Sequence, residues 1–392
     1  MWSDAGLVMM IWATVEGEVA RLRGPGGLPM PELAFTDRAG ATLDEIGLGI
    51  GSLEQMGVQL ALSELFGIES TLPSRRSGRA ASVGEWADLI VRRWRDAEPA
   101  LWMRSSGTTG TPKLHRHRLD DLVAEAKYFA DLIGPRRRVL ALVPGHHIYG
   151  LIWTVLLPEL LQVPVARVTG DAGKRMTPGD LVVGTAEHWR TILHSSAEVP
   201  EEVIGVNAAA PLSAEETQSL LAAGLERVID VYGSTETGGI GAREAPASEY
   251  RLLPRWTFVP PAEAVGNNRD RIRSKDGVVI DLPDNVAVGS DGFTLGARRD
   301  GIVQVGGHNV DPTIVAGFMR AHALVADAAV RLGSNGRLKA FLVPSGEANT
   351  EALIADVALE LAARLPAYAR PVAYRVGAQM PLGILGKPGD WD

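Results

Sequence analysis

The segment Ser105-Ser106-Gly107-Thr108-Thr109-Gly110-Thr111-Pro112-Lys113 packs five hydroxyls, two glycines and a lysine into nine residues. Glycines let backbone N–H groups close on an anion, hydroxyls donate to non-bridging oxygens, and lysine is a compact point charge. The chemistry this string suits is polyphosphate binding. It is not the G-x-x-x-x-G-K-[ST] loop, because Thr111-Pro112 separates Gly110 from Lys113 and no Ser or Thr follows the lysine. The chain has only six lysines among its 39 Lys and Arg residues, so a lysine here marks a position where an arginine fork is not equivalent. Two further groups of residues could do chemistry. In Pro144-Gly145-His146-His147-Ile148-Tyr149-Gly150 the adjacent histidines point apart and have no carboxylate at ligand spacing, so they read as neutral pocket-lining groups rather than zinc ligands. His115 and His117, in an Arg/His cluster after the phosphate loop, read as a solvated helix face, and Trp153 and Trp256 as core.

Tyr232-Gly233-Ser234-Thr235-Glu236, an aromatic followed by G-x-T-E, joins the loop ending at Lys113 in a pattern that resembles the adenylate-forming superfamily of acyl- and aryl-CoA synthetases. The resemblance spans residues 100–392. It implies ATP, CoA and a small-molecule carboxylic acid as substrates, with Mg2+ as the metal. It places Ser105, Ser106, Gly107, Thr108, Thr109, Gly110 and Lys113 on the phosphates, Tyr232 on adenine, Thr235 on the α-phosphate and Glu236 on Mg2+. Asp284, with Arg298 fourteen residues on, resembles the ribose-binding Asp and its Arg, although Leu282-Pro283 replaces the usual T-G and Asp281 is a rival carboxylate. Asp300 falls at the family's interdomain hinge, Gly306-Gly307-His308 would line the CoA channel, and Lys387 in the terminal G-K loop would be the catalytic lysine. Gln304 stands where lysine is usual, and Asn309 where glutamine is common.

In the same resemblance His147 and Tyr149 mark the acid pocket, and Ala208-Ala209-Ala210 is the small-residue turn that leaves room for the acyl group. With a front end that brings the phosphate loop to residue 105, these imply a compact aromatic acid. The chain is similar in this to the short bacterial 4-coumarate–CoA ligases. Two alternatives stand beside that reading: a ligase loading an external carrier protein, and a catalytically silent nucleotide-binding homologue, suggested by Gln304 and the missing T-G.

Elements must bring these groups together. Apolar runs at Leu101–Arg104, Val139–Val143, Val203–Val206 and Val228–Val231 each read as a strand delivering the chain into a polar loop, an α/β rhythm in which four loops converge at the carboxyl ends of one sheet. Leu119, Leu122, Ala126, Phe129 and Ile133 recur at helical spacing before Gly134-Pro135, and Ser213 with Glu216 predicts a capping box. The fold class expected is α/β: a large N-terminal domain of layered α/β sheets over 1–299, with a small β subdomain near 250–298, and a small mobile α+β domain over 300–392. In the latter the order is strand, helix, two strands, helix, strand. Residues 1–100 read as mostly helical, without identifiable chemistry.

At 392 residues, 46% hydrophobic and 22% charged, the chain has the balance of a globular protein of more than one domain. A formal charge of −8 argues against nucleic acid or an anionic membrane as partner. The absence of cysteine excludes disulfides and thiolate chemistry. Asp4, Glu16 and Glu18 precede the first basic residue, Arg21, the wrong polarity for a signal peptide, and the expectation is a cytoplasmic protein.

Overall fold

The computed structural model describes residues 4–24, 27–31, 33, 35–68, 80–95, 97–104, 113–168, 172–195, 198–260, 270–290, 292–298, 301–346, 349–381 and 391. The chain divides into two compact units, Met1–Ser105 with Lys113–Arg255 and, for the second, chiefly Trp256–Asp392.

The first unit opens with helices α1 (Asp4–Arg23), α2 (Ser52–Phe66) and α3 (Val83–Arg95). Strands β1 (Ala100–Arg104) and β2 (Leu114–Arg118) follow, paired antiparallel with Arg104 opposite Leu114. Two expectations are corrected here. The strand before the phosphate loop does not join the main sheet, and the Arg/His cluster is strand rather than helix. The reason lies in Leu-His-Arg-His-Arg itself, which alternates in burial, His117 inside and Arg116 outside, the period of a strand. α4 (Leu119–Ile133) forms as its spacing predicts, burying Leu122, Ala126 and Phe129 and ending at Gly134.

Next come β3 (Arg138–Ala141) and a helical stretch, α5, that runs from Ile148–Leu151 through a π-helical turn, Ile152–Leu156, into Leu157–Leu161. The unit is completed by β4 (Val165–Arg167), β5 (Asp180–Thr185), α6 (Ala186–His194), β6 (Ile204–Ala208), α7 (Ala214–Ala222), β7 (Arg227–Ser234), β8 (Gly238–Ala245) and β9 (Arg251–Leu252). The strands form a seven-stranded sheet in the order β4-β3-β5-β6-β7-β8-β9. The five from β4 to β7 are parallel, and β8 and β9 return antiparallel. β5 and β6 are buried almost end to end, which accounts for the apolar Leu181–Val183 run and for Ile204 and Val206, while Asp180 and Asn207 are buried as hydrogen-bonded polar groups. From β3 the chain goes to β4 on one side and β5 on the other, a topological switch point where open α/β sheets bind ligands. Ser213 caps α7 by accepting from the Glu216 amide at 3.0 Å, as the capping box predicts.

In the second unit β10 (Trp256–Phe258), β11 (Arg271–Ser274) and β12 (Val279–Asp281) form an antiparallel sheet, and β13 (Asp284–Val288) pairs with β14 (Phe293–Arg298). A hairpin of β15 (Val303–Val305) and β16 (His308–Val310) precedes α8 (Pro312–Arg320), β17 (Val325–Leu332), β18 (Leu338–Pro344), α9 (Thr350–Arg364) and β19 (Ala373–Val376). Met319, Leu338, Leu342, Val357 and Leu361 knit the last five elements into one core. The fold is α/β with an α+β portion after residue 300. Among the described residues no helix is long and apolar enough to cross a membrane.

Candidate active site

Three of the anticipated segments leave the carboxyl ends of parallel strands: Pro144–Gly150 after β3, Ala208–Ala210 at the end of β6, and the turn after β7; in the first, Ile148, Tyr149 and Gly150 already belong to the first turn of α5 rather than to a loop. The boundary at β7 differs from expectation. Tyr232, Gly233 and Ser234 are still strand, because they pair with β8, and only Thr235-Glu236-Thr237 turn the chain between Ser234 and Gly238. Tyr232 lies edge-on to Tyr250, ring centroids 6.1 Å apart.

In the segment expected to hold the acid, the Tyr149 hydroxyl donates to the carbonyls of Gly184 and Val206, at 2.9 and 3.1 Å. Burial, with the nearby Asp230 charge acting in the same sense, pushes it well above the ordinary tyrosine range, so it stays a donor. Its proton is committed to the ends of β5 and β6, and the ring is the part that remains to face a ligand. Asn207 donates to the Ala210 carbonyl at 2.8 Å and to Asp230 at 2.7 Å, latching the small-residue turn to β7. Asp230 also accepts from Arg243 at 2.8 Å and from the Tyr250 hydroxyl at 2.7 Å. Within the turn Ala209 takes φ of 72°, a left-handed conformation costly for a residue with a Cβ. His147 is exposed, and its ring lies 4.1 Å from that of His146. Burial pushes His146 down to about 3, which leaves it neutral at pH 7.

Of the residues expected to hold nucleotide, Lys113 is exposed at the foot of β2, while Ser105, Ser106, Gly107, Thr108, Thr109 and Gly110 lie outside the described residues. Glu236 stands at the apex of the β7–β8 turn, its side chain 43% exposed, with His115 Nε2 at 3.6 Å. His117 Nε2 donates to the Thr235 carbonyl at 2.7 Å. A carbonyl only accepts, which fixes the proton on Nε2. Burial pushes this histidine down to about 4, against the pull of the same hydrogen bond. Thr237 Oγ1 accepts from the Ser234 amide at 3.1 Å and donates to the Gly238 carbonyl at 2.8 Å. Glu125, reaching from α4, accepts from the Gly239 amide at 2.9 and 3.1 Å. An exposed carboxylate at a turn apex is a hard oxygen donor that fits Mg2+. No group of three or more His, Cys, Asp or Glu among the described residues could hold a metal alone, so the fit is to a cation shared with substrate phosphates.

In the second unit, Asp284 is buried at the start of β13, directly opposite Arg298 on β14. Asp281 instead pairs with Arg271 at 2.6 Å. Gly306 and Gly307, with φ of 56° and 80°, make the tight two-residue turn between β15 and β16 that only positive φ at both positions allows. Gln304 Nε2 donates to Asn309 Oδ1, its partner across that hairpin, while Gln304 Oε1 is buried without a hydrogen-bond partner. His308 stacks on Tyr368 at 3.9 Å with rings 11° from parallel. Asp300 and Lys387 lie outside the described residues.

His117, Glu125, Asn207 and Asp230 were not read from the sequence as parts of a site. Glu125 had a signal, since it falls on the buried stripe of α4, three residues after Leu122 and four before Phe129.

The parallel sheet, its switch point and the Tyr232–Glu236 segment at the end of β7 agree with the resemblance to adenylate-forming enzymes read from the sequence. The chain belongs to the family of AMP-binding enzymes, which it matches over residues 63–263. It is 33% identical to the 4-coumarate–CoA ligase of Halorhodospira halophila over 97% of each chain. It is 35% identical to that of Rhodobacter capsulatus, over 93% of this chain and 94% of the relative. Among solved structures it is similar to a malonyl-CoA ligase in complex with methylmalonyl-CoA and AMP, with TM-score 0.57 and 20% identity over 71% of both chains. The o-succinylbenzoate CoA synthetase of Bacillus subtilis gives TM-score 0.58 and 17% identity over 73% of this chain and 67% of that one. At such identities the likeness is one of fold.

Proposed function

We propose that this enzyme activates a planar aromatic acid, 4-coumarate, with ATP to an acyl adenylate and transfers the acyl group to CoA. The observation that carries the chemistry is the arrangement of the Tyr149, Ala208–Ala210 and Thr235-Glu236 segments along the carboxyl ends of β3 to β7. The identity of the acid rests on the similarity to the two ligases along nearly the whole chain.

In this reading Lys113 and the 105–111 segment hold the β- and γ-phosphates, Tyr232 stacks on adenine, and Thr235 orients the α-phosphate. Glu236 would hold Mg2+, which when bound supplies charge neutralisation on the phosphates. The substrate carboxylate attacks the α-phosphorus and pyrophosphate leaves, with Lys387 on the developing charge. Asp284 and Arg298 bind ribose. The second step is thiol attack on the acyl adenylate along the 306–308 hairpin, after the part of the chain beyond Asp300 has turned. The Tyr149 ring and the Ala208–Ala210 turn form one flat apolar slot for the acyl group.

Incubation with ATP, Mg2+, CoA and a panel of acids, read by mass spectrometry, tests this directly. Coumaroyl-CoA should form with kcat/KM at least about tenfold above octanoyl-CoA. Preference for octanoate would overturn the aromatic assignment and leave adenylation standing. Accumulation of acyl adenylate with CoA present would move the acceptor to an external carrier protein.

A further inference from the structure

The turn that carries Thr235 and Glu236 is held from behind by two side chains, one on each flank. His117 on β2 donates to the Thr235 carbonyl at 2.7 Å, and Glu125 on α4 receives the Gly239 amide on both carboxylate oxygens, at 2.9 and 3.1 Å. Both groups are nearly sealed from solvent, His117 4% exposed and Glu125 5%. Gly239 is closely approached: a Cβ there would sit 2.3 Å from a Glu125 oxygen, so the carboxylate has been given the space of a side chain. Between the two clamps only Glu236 projects outward. His117 is also four residues beyond Lys113 on the strand that leaves the phosphate loop. Thr237 closes the turn from within through Ser234 and Gly238, but its bonds leave the Thr235 carbonyl and the Gly239 amide to other partners, and burying two polar side chains to take them is costly unless the grip is used.

We propose that His117 and Glu125 are positioning residues that fix the Thr235-Glu236 turn, so that cation-dependent nucleotide binding depends on them although neither is offered as a ligand. The inference rests on the reading of Glu236 as the Mg2+ carboxylate. It gives the β2–α4 segment a role: the strand that starts just past the phosphate loop carries the brace for the opposing half of the nucleotide site.

The test compares His117→Gln, whose amide nitrogen reaches the place of Nε2, with His117→Asn, one methylene too short. ATP affinity is measured by calorimetry with and without Mg2+, beside Mg2+-dependent pyrophosphate release and the KM for the acid. His117→Asn should reduce the strengthening of ATP binding by Mg2+ about fivefold, the scale of one lost hydrogen bond, and His117→Gln should recover most of it. The KM for the acid should move less than about twofold in either. Equal behaviour of the Gln and Asn variants, or equal losses with and without Mg2+, overturns the proposal in favour of plain packing. Where the His117 variants do not fold, Glu125→Asp, which shortens the other clamp, must give the same Mg2+-selective loss or the proposal fails. Glu236→Gln separates the two layers of inference. If it leaves the Mg2+ effect intact, the reading of Glu236 is wrong and the brace falls with it; if it abolishes the effect while the His117 and Glu125 variants do not touch it, only the brace is wrong.

Discussion

Glu125 is a carboxyl group sealed inside the first unit. Burial pushes its carboxyl up to about 7 from an ordinary 4.5, with Arg255 and the Gly239 amide pulling the other way. Between those values the folded chain holds a proton that the unfolded chain has released, so stability falls as pH rises through this window. The contribution is complete below 4.5 and is lost above 7, on the order of 3 kcal/mol. His117 and His146 act in the opposite sense, since both stay neutral in the fold down to about 4 and about 3. Their stabilising effect is present above pH 6.5 and is lost as pH falls. Glu125→Gln removes only the first component while keeping an oxygen for Gly239. Urea unfolding should therefore give similar stabilities for wild type and Glu125→Gln at pH 4.5 and a more stable variant at pH 8. Parallel pH profiles for the two proteins would show that Glu125 does not titrate as described.

The turn at the end of β6 places a non-glycine residue in a left-handed backbone conformation, as do Gln162 and Glu202 elsewhere in the first unit. Ala209 occupies left-handed φ with a Cβ, and two latches hold it there, Asn207 to the Ala210 carbonyl and Asn207 to Asp230. Ala209→Gly relieves the strain, at the cost of a more flexible unfolded chain, and should stabilise the protein by about 0.5–1 kcal/mol in denaturant unfolding. A loss of stability would mean that Ala209 packing outweighs its backbone. The turn itself was legible in the sequence, as were α4 and the Ser213–Glu216 cap, because each is written in neighbouring residues; after residue 300 the expected order of strand, helix, two strands, helix, strand missed β16, which pairs with β15 ahead of α8. What holds the turn was not legible. Asn207 and Asp230 are 23 residues apart, Tyr149 and Val206 57 apart, and His117 and Thr235 118 apart. Such partners meet only once adjacent strands have set their register. The His117 strand was hidden for another reason: arginines at alternate positions mask a period-two pattern when only apolar residues are counted.

At the scale of the whole molecule, the residues proposed for nucleotide, acid and thiol come from both compact units. Glu236, Tyr149 and the Ala208–Ala210 turn belong to the first, and Asp284, Arg298, the Gly306-Gly307 hairpin and Lys387 to the second. One lysine cannot be required for a step in which its charge has no new work. In adenylation, negative charge develops on the α-phosphate and on departing pyrophosphate, where a cation lowers the barrier. In thiol transfer the sulfur attacks the acyl carbonyl, charge develops on that carbonyl oxygen, and AMP leaves as the acyl–oxygen bond breaks, with no pyrophosphate left to neutralise. If the second unit serves these steps in turn, Lys387 acts in the first and the 306–308 hairpin in the second. Lys387→Ala should then lower ATP- and acid-dependent pyrophosphate release by at least about a hundredfold, the scale of one lost charged contact to a transition state. The same variant, given synthetic coumaroyl adenylate and CoA, should form coumaroyl-CoA within about threefold of the wild-type rate. Equal loss in both assays would mean that the lysine supports a single arrangement common to the two steps, and the division of labour between the ends of the second unit would have to be abandoned.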